Sequence, residues 1–162
     1  MKAIQTVGVA GAGAMGRGIA QIAAQAGLRV KLFDTNPAAL NSARDALTST
    51  WTMLASKGKM TEDQAQEALG SLYLIDEIKD LSDCDLVIEA IIERLEIKQP
   101  FFKQLESVVS AECILVSNTS SLSITAIAAV CEHPERVAGY HFFNPVPLMK
   151  VVEVIDGLRT DP

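Results

Sequence analysis

Short apolar runs rich in β-branched residues recur along the chain, and longer stretches of helical periodicity separate them. Thr6–Ala10, Val30–Phe33, Leu72–Ile75, Leu86–Ala90 and Ile114–Val116 read as buried strands, with Val137–Phe142 and Val151–Ile155 as two more. Met15–Ala26 sets Met15, Ile19, Ile22 and Ala26 on one stripe, and Gly27 ends it as a C-terminal cap. Asn36-Pro37 opens a second helix through about Leu54, which Lys57-Gly58-Lys59 breaks. Thr61–Gln64 carries a capping-box pattern, starting a third helix through about Leu69. Leu95–Val109 is amphipathic, although Pro100 calls for a start near Gln99 or a kink, and Ser123–Cys131 is a short last helix.

Strands that alternate with helices predict an α/β fold, a Rossmann-like doubly wound and mostly parallel sheet covered on both faces. The stretch from Pro37 to Gly70 holds two helices where one would close the crossover. A helical hairpin is therefore expected to project after the second strand, as a place for substrate contacts. The 162 residues are one domain's worth, without internal repeat or linker.

Composition narrows the function. With 49% hydrophobic and 21% charged residues, the chain has an ordinary globular balance rather than a disordered one. A formal charge of −6 repels phosphate backbones, which argues against nucleic acid as the main partner. No apolar stretch approaches the roughly 20 residues of a membrane helix. Cys84, Cys113 and Cys131 are odd in number and form no CxxC pair, so no metal site or disulfide framework is expected. They read as buried free thiols in a reducing cytoplasm. Met1–Ala26 is small and apolar like a secretory leader, but only Lys2 precedes the apolar part and glycines crowd it.

Those glycines have a better explanation. Gly11-Ala12-Gly13-Ala14-Met15-Gly16 follows a predicted strand and opens a predicted helix. Gly11 would make the tight turn, Gly13 would admit a pyrophosphate, and Gly16 would let helix and strand pack closely. The helix N-terminus adds free N–H groups and partial positive charge. Asp34 ends the second strand, 23 residues after Gly11, where an acid would hold ribose hydroxyls. Thr35 and Asn36 follow it with no arginine, which favours NAD over NADP.

Three more segments fall just past predicted strands, where ligands of this fold bind. They are Glu89–Lys98, Ser117–Ser121 and His141–Pro147, the last followed by Lys150–Glu153. His141 and Glu153 lie twelve residues apart, around a turn at Pro145–Pro147. If the chain doubles back there, the carboxylate meets the imidazole, fixes its tautomer and makes the other ring nitrogen a better base. The competing reading is a structural histidine and a solvated strand glutamate.

The ordered segments GAGAMG, EAIIER, SNTSSLSI and GYHFFNPVPLMKVVEV resemble the L-3-hydroxyacyl-CoA dehydrogenases, across essentially the whole chain. The resemblance implies that residues 1–162 form the family's N-terminal NAD-binding domain. It implies catalytic roles for His141 as base, Glu153 as its orienting partner, Ser120 as donor to the substrate's 3-oxygen, and Asn144 as a buttress. Glu93, Lys98 and Asn118 match positions around the nicotinamide ribose and ring. Gly11, Gly13, Ala14, Met15, Gly16 and Asp34 match the rest of the cofactor site. The hairpin resembles an arm that holds coenzyme A, with Lys57 as a phosphate contact. The family's C-terminal helical domain, through which it dimerises, is not part of this stretch. An apolar patch near the site and the last strands is therefore expected. The implied activity is NAD-dependent oxidation of L-3-hydroxyacyl-CoA to 3-oxoacyl-CoA in fatty-acid metabolism. Two other readings stay open: a non-catalytic NAD-binding module, and a dehydrogenase of a small hydroxy acid not linked to coenzyme A.

Overall fold

The computed structural model describes residues 3–162; Met1 and Lys2, and with Lys2 the lone charge ahead of the first apolar run, lie outside the described residues. Seven strands form one sheet: β1 (Thr6–Ala10), β2 (Arg29–Phe33), β3 (Leu72–Ile75), β4 (Leu86–Glu89), β5 (Ile114–Ser117), β6 (Val137–Phe142) and β7 (Val152–Asp156). Their order is β3-β2-β1-β4-β5-β6-β7. All neighbours are parallel except β6 and β7, which pair antiparallel as a hairpin. The sheet is the expected Rossmann-like α/β arrangement. Its strand order reverses between β1 and β4, and the crevice above that point is where such sheets bind ligands.

The helices are α1 (Ala14–Gln25), α2 (Pro37–Ser56), α3 (Glu62–Gly70), α4 (Leu95–Val108) and α5 (Ile124–Ala128). Each central strand feeds both layers, because successive side chains alternate faces. Val7 and Val9 of β1, with Leu86 and Ile88 of β4, face α1, α2 and α3. Val87 and Leu115 face the other way, onto Phe102 and Leu105 of α4 and Ile127 of α5.

The boundaries follow local chemistry. α1 ends at Gly27, whose φ is +81°, with Gly27 and Leu28 N–H groups closing on Ala24 and Ala23 carbonyls. Asn36 caps α2 through the N–H groups of Ala38 and Ala39. Thr61 and Gln64 complete the expected capping box of α3. α4 begins at Leu95 as the amphipathic stretch predicted, not at the alternative start near Gln99. Pro100 falls in its second turn, where it costs the bond to Glu96 but leaves the Lys98 N–H on the Arg94 carbonyl.

Two expectations need correction. The buried face of α1 is centred on Ile19, Ala20, Ala23 and Ala24, while Ala26 is exposed. The α2–α3 hairpin does not project either: it folds back on α1. Leu40, Ala43, Leu47 and Trp51 form a buried stripe on α2, and Ala68 of α3 joins the same core. The Trp51 indole N–H reaches Gln25 of α1 at 3.4 Å. That stripe has the 3–4-residue spacing of a helix with a partner to cover.

Candidate active site

The backbone of the glycine loop is tight at Gly11 and Gly16 and open at Gly13. Gly11 has φ +107°, and a Cβ there would lie 2.4 Å from the Ala90 carbonyl oxygen. A Cβ on Gly16 would lie 1.7 Å from the Gly11 carbonyl oxygen. A Cβ on Gly13 would meet nothing within 4 Å, so that residue borders open space. Among the described residues no side chain caps α1 and no acid occupies its first turn. Its N-terminal N–H groups and dipole therefore stay free for an anion.

Two hollows meet at this loop. One, of about 490 Å³, is lined by Gly11, Gly13, Asp34, Thr35 and the apolar Phe33, Ile92, Ile97 and Phe101. Both Asp34 oxygens are fixed from below, by the N–H groups of Ala12 at 2.8 Å and Asn36 at 2.9 Å. Asp34 is thus a strand-end carboxylate presented to the hollow, and the helix cap is Asn36. The other hollow, of about 360 Å³, is lined by Met15, Glu93, Lys98, Asn118, Ser120, His141, Phe142, Phe143 and Asn144. Ala90 and Ile91 line both. The two form one crevice across the point where strand order reverses, with the helix N-terminus at its waist.

Strand register assembles the second hollow. His141 and Glu153 are direct partners across the β6–β7 hairpin, with Nδ1 2.8 Å from Oε2. The Phe143 ring lies 4.7 Å from the imidazole. Asn118, just past β5, accepts a hydrogen bond from the Phe142 N–H at 2.9 Å. Ser120 gives its backbone N–H to Glu93 at 3.1 Å, leaving its hydroxyl without a protein partner among the described residues.

Beneath this surface lies a ladder of charges. Glu89 and Lys98 are fully buried and 2.5 Å apart. Lys98 also reaches Glu93, 3.3 Å away and 40% exposed. Partial burial pulls the Glu93 carboxyl upward, but the Thr119 hydroxyl, the Lys98 ammonium and the Ser120 N–H outweigh it and hold it below the usual range.

The structure thus gathers His141, Glu153, Ser120, Asn144, Asn118, Glu93, Lys98 and Met15 around one hollow and its rim. Gly11, Gly13 and Asp34 line the adjoining one, with Ala14 at the bare helix end and Gly16 beneath. Lys57 is not among them. It is exposed at the C-terminal end of α2, whose 20 residues carry the chain about 30 Å from Asn36. Sequence reasoning missed Glu89 and Thr119 as site-forming side chains. The only signal was an acid ending an otherwise apolar strand and a threonine inside SNTSS.

A family model for the NAD-binding domain of 3-hydroxyacyl-CoA dehydrogenase matches residues 6–162. The chain belongs to that family. A 3-hydroxyadipyl-CoA dehydrogenase of Escherichia coli is 48% identical over 157 residues, 97% of this chain and 33% of that protein. A 3-hydroxybutyryl-CoA dehydrogenase of Bradyrhizobium diazoefficiens is 45% identical, over 98% of this chain and 54% of its own length. The crystal structure of (S)-3-hydroxybutyryl-CoA dehydrogenase from Ralstonia eutropha superposes with a TM-score of 0.95 at 43% identity, covering 98% of this chain and 56% of that one. The chain therefore spans between a third and just over half of these relatives. NAD is the family's cofactor, and the crevice fits it. The open space beside Gly13 suits a pyrophosphate, the Asp34 carboxylate suits ribose hydroxyls, and Glu93, Lys98 and Asn118 line the adjoining hollow with polar groups.

The expected apolar patch is present. Leu148, Met149, Val151, Val152, Val154, Ile155 and Leu158 are all exposed, on β7 and the segments flanking it.

Proposed function

We propose that this domain, within a longer protein, carries out reversible oxidation of an L-3-hydroxyacyl-CoA to the 3-oxoacyl-CoA. NAD⁺, when bound, supplies the hydride acceptor. The observation that supports this most directly is the His141–Glu153 pair on the rim of the hollow that holds Glu93, Lys98 and Asn118. Glu153 engages Nδ1, which leaves Nε2 of His141 to take the substrate hydroxyl proton in oxidation and return it in reduction. Glu153 stabilises the imidazolium formed in the forward direction. The free Ser120 hydroxyl donates to the substrate's 3-oxygen as negative charge develops there. Asn144 closes the same wall. Lys57 would meet only the far phosphates of a coenzyme A that runs back along α2.

The remaining length of the relatives supports a further helical domain as the cover for the apolar strip on β7, and as the element through which two copies pair. Acyl-chain metabolism in the cytoplasm is the setting that fits. Burial pushes the thiols of Cys84 and Cys113 up to about 12 and that of Cys131 up to about 11, which keeps them neutral and unreactive.

The test is NADH oxidation by acetoacetyl-CoA, with the domain in its full-length protein, beside NADH binding by calorimetry. Turnover that His141→Ala abolishes, with NADH still bound, supports the proposal. A full-length His141→Ala protein working near the wild-type rate overturns it. Acetoacetate reduced as well as its thioester would favour a small hydroxy acid instead. The exposed strip beside the site favours a second statement about the isolated chain: alone, it binds NADH without turnover.

A further inference from the structure

Glu89 ends β4 at the switch point of the sheet, in register with Ala10 of β1 and Ser117 of β5. It is wholly buried, an expensive place for a carboxylate. All its partners are donors: the Ile91 N–H at 2.7 Å and the Lys98 ammonium at 2.5 Å on one oxygen, the Ser117 hydroxyl at 2.6 Å on the other. Packing alone does not call for this group, since a buried ion pair is commonly matched in stability by apolar residues of similar size. What the pair accomplishes is positional. Lys98 lies in the first turn of α4 and spans to Glu89 on the sheet, and its ammonium then stands 3.3 Å from Glu93, the exposed acid of the hollow.

We propose that Glu89 is a positioning residue for the nicotinamide half of the cofactor site. It pins Lys98, and Lys98 together with Thr119 aims the Glu93 carboxylate into the hollow. Ser117 holds Glu89 from the opposite side, so the strand ends of β4 and β5 and the first turn of α4 act as one unit. The adenosine half has its own supports, Asp34 on the Ala12 and Asn36 N–H groups, and none of them touches this ladder. The two halves of the dinucleotide should therefore respond differently when the ladder is broken. The inference rests on the crevice as an NAD site and not on the acyl substrate. Failure of the reaction reading would appear separately, as normal NADH binding without turnover of acetoacetyl-CoA in the full-length protein.

The experiment titrates the chain with NADH and, separately, with ADP, which lacks both the nicotinamide and the second ribose. Glu89→Gln should weaken NADH about tenfold, the scale of a hydrogen bond to a charged group, and leave ADP within about twofold. Ser117→Ala removes one tether without unpairing Lys98, and should weaken NADH in the same direction by a smaller factor. If Glu89→Gln does not fold, Ser117→Ala carries the test alone. Selective loss of NADH affinity supports the proposal. Equal loss for both probes, or wild-type NADH affinity in Ser117→Ala and in any folded Glu89→Gln, overturns it.

Discussion

The side-chain oxygen of Asn118 holds the backbone N–H of Phe142, the residue after His141, at 2.9 Å. Register pairing of β5 with β6 ends at Ser117 and Gly139. This one bond ties the end of β6, next to His141, to the segment just past β5. Asn118→Leu should cost about 1 kcal/mol, a fall in Tm of about 2–4 °C for a domain of this size. Asn118→Asp keeps the acceptor and should recover part of that loss. Thermal denaturation of the three proteins measures both effects.

The glycines of the loop should separate stability from binding. Gly16→Ala forces a methyl group against the Gly11 carbonyl oxygen, 1.7 Å away before any shift, and should abolish cooperative unfolding or soluble expression. Gly13→Ala meets no protein atom within 4 Å, so the fold should survive. Its methyl group would occupy the space suited to the pyrophosphate, and NADH affinity should fall by about tenfold or more. Calorimetry and circular dichroism on both variants check the contrast.

Across the β6–β7 hairpin, the two members of the proposed acid–base pair should differ in consequence. Removing His141 removes the proton carrier, and kcat in the full-length protein should fall by roughly 10²–10⁴. Glu153→Gln leaves a hydrogen-bonding partner but no charge for the imidazolium, and should cost about tenfold. NADH affinity should be unchanged in both, because neither side chain belongs to the Glu89–Lys98–Glu93 ladder. Steady-state kinetics with acetoacetyl-CoA, beside NADH titration, supply the numbers.

Acid should erase the contribution of Glu93. Its carboxyl is held below the ordinary 4.5 in the folded chain. Stabilisation from Thr119 and Lys98 is therefore complete above that value and is lost as pH falls through the lower folded value. The side chain is 40% exposed, so the effect is small, below about 1 kcal/mol. Glu93→Gln should be less stable than wild type near neutrality and converge with it in acid. Urea unfolding across that range would contradict the assignment if the gap stayed constant.

Most of the fold was legible because each strand is a short apolar run and each helix carries its own punctuation. Gly27, Asn36 and Thr61 act within a few residues of themselves, and a sequence displays such local chemistry directly. The His141–Glu153 pairing was open on spacing alone, because the long connection 143–151 between β6 and β7 does not fix register locally, and the family resemblance was what favoured it. The hairpin was misjudged because the question was one of tertiary packing. The stripe from Leu40 to Trp51 needed α1 as its partner, and nothing local names that partner. The Glu89–Lys98 pair escaped notice since nine residues apart in sequence says little when one residue ends a strand and the other opens a helix.

The waist of the crevice has a practical outcome. Only Ala90 and Ile91 are common to its two hollows, so each side can host a small molecule without disturbing the other. Two weak fragments, one stacked near Phe101 and one beside Asn144, could be joined by a short tether over Ala90. The joined compound would gain from the high local concentration of its second half, and the length of that tether becomes a chemist's ruler for the gap the protein sets.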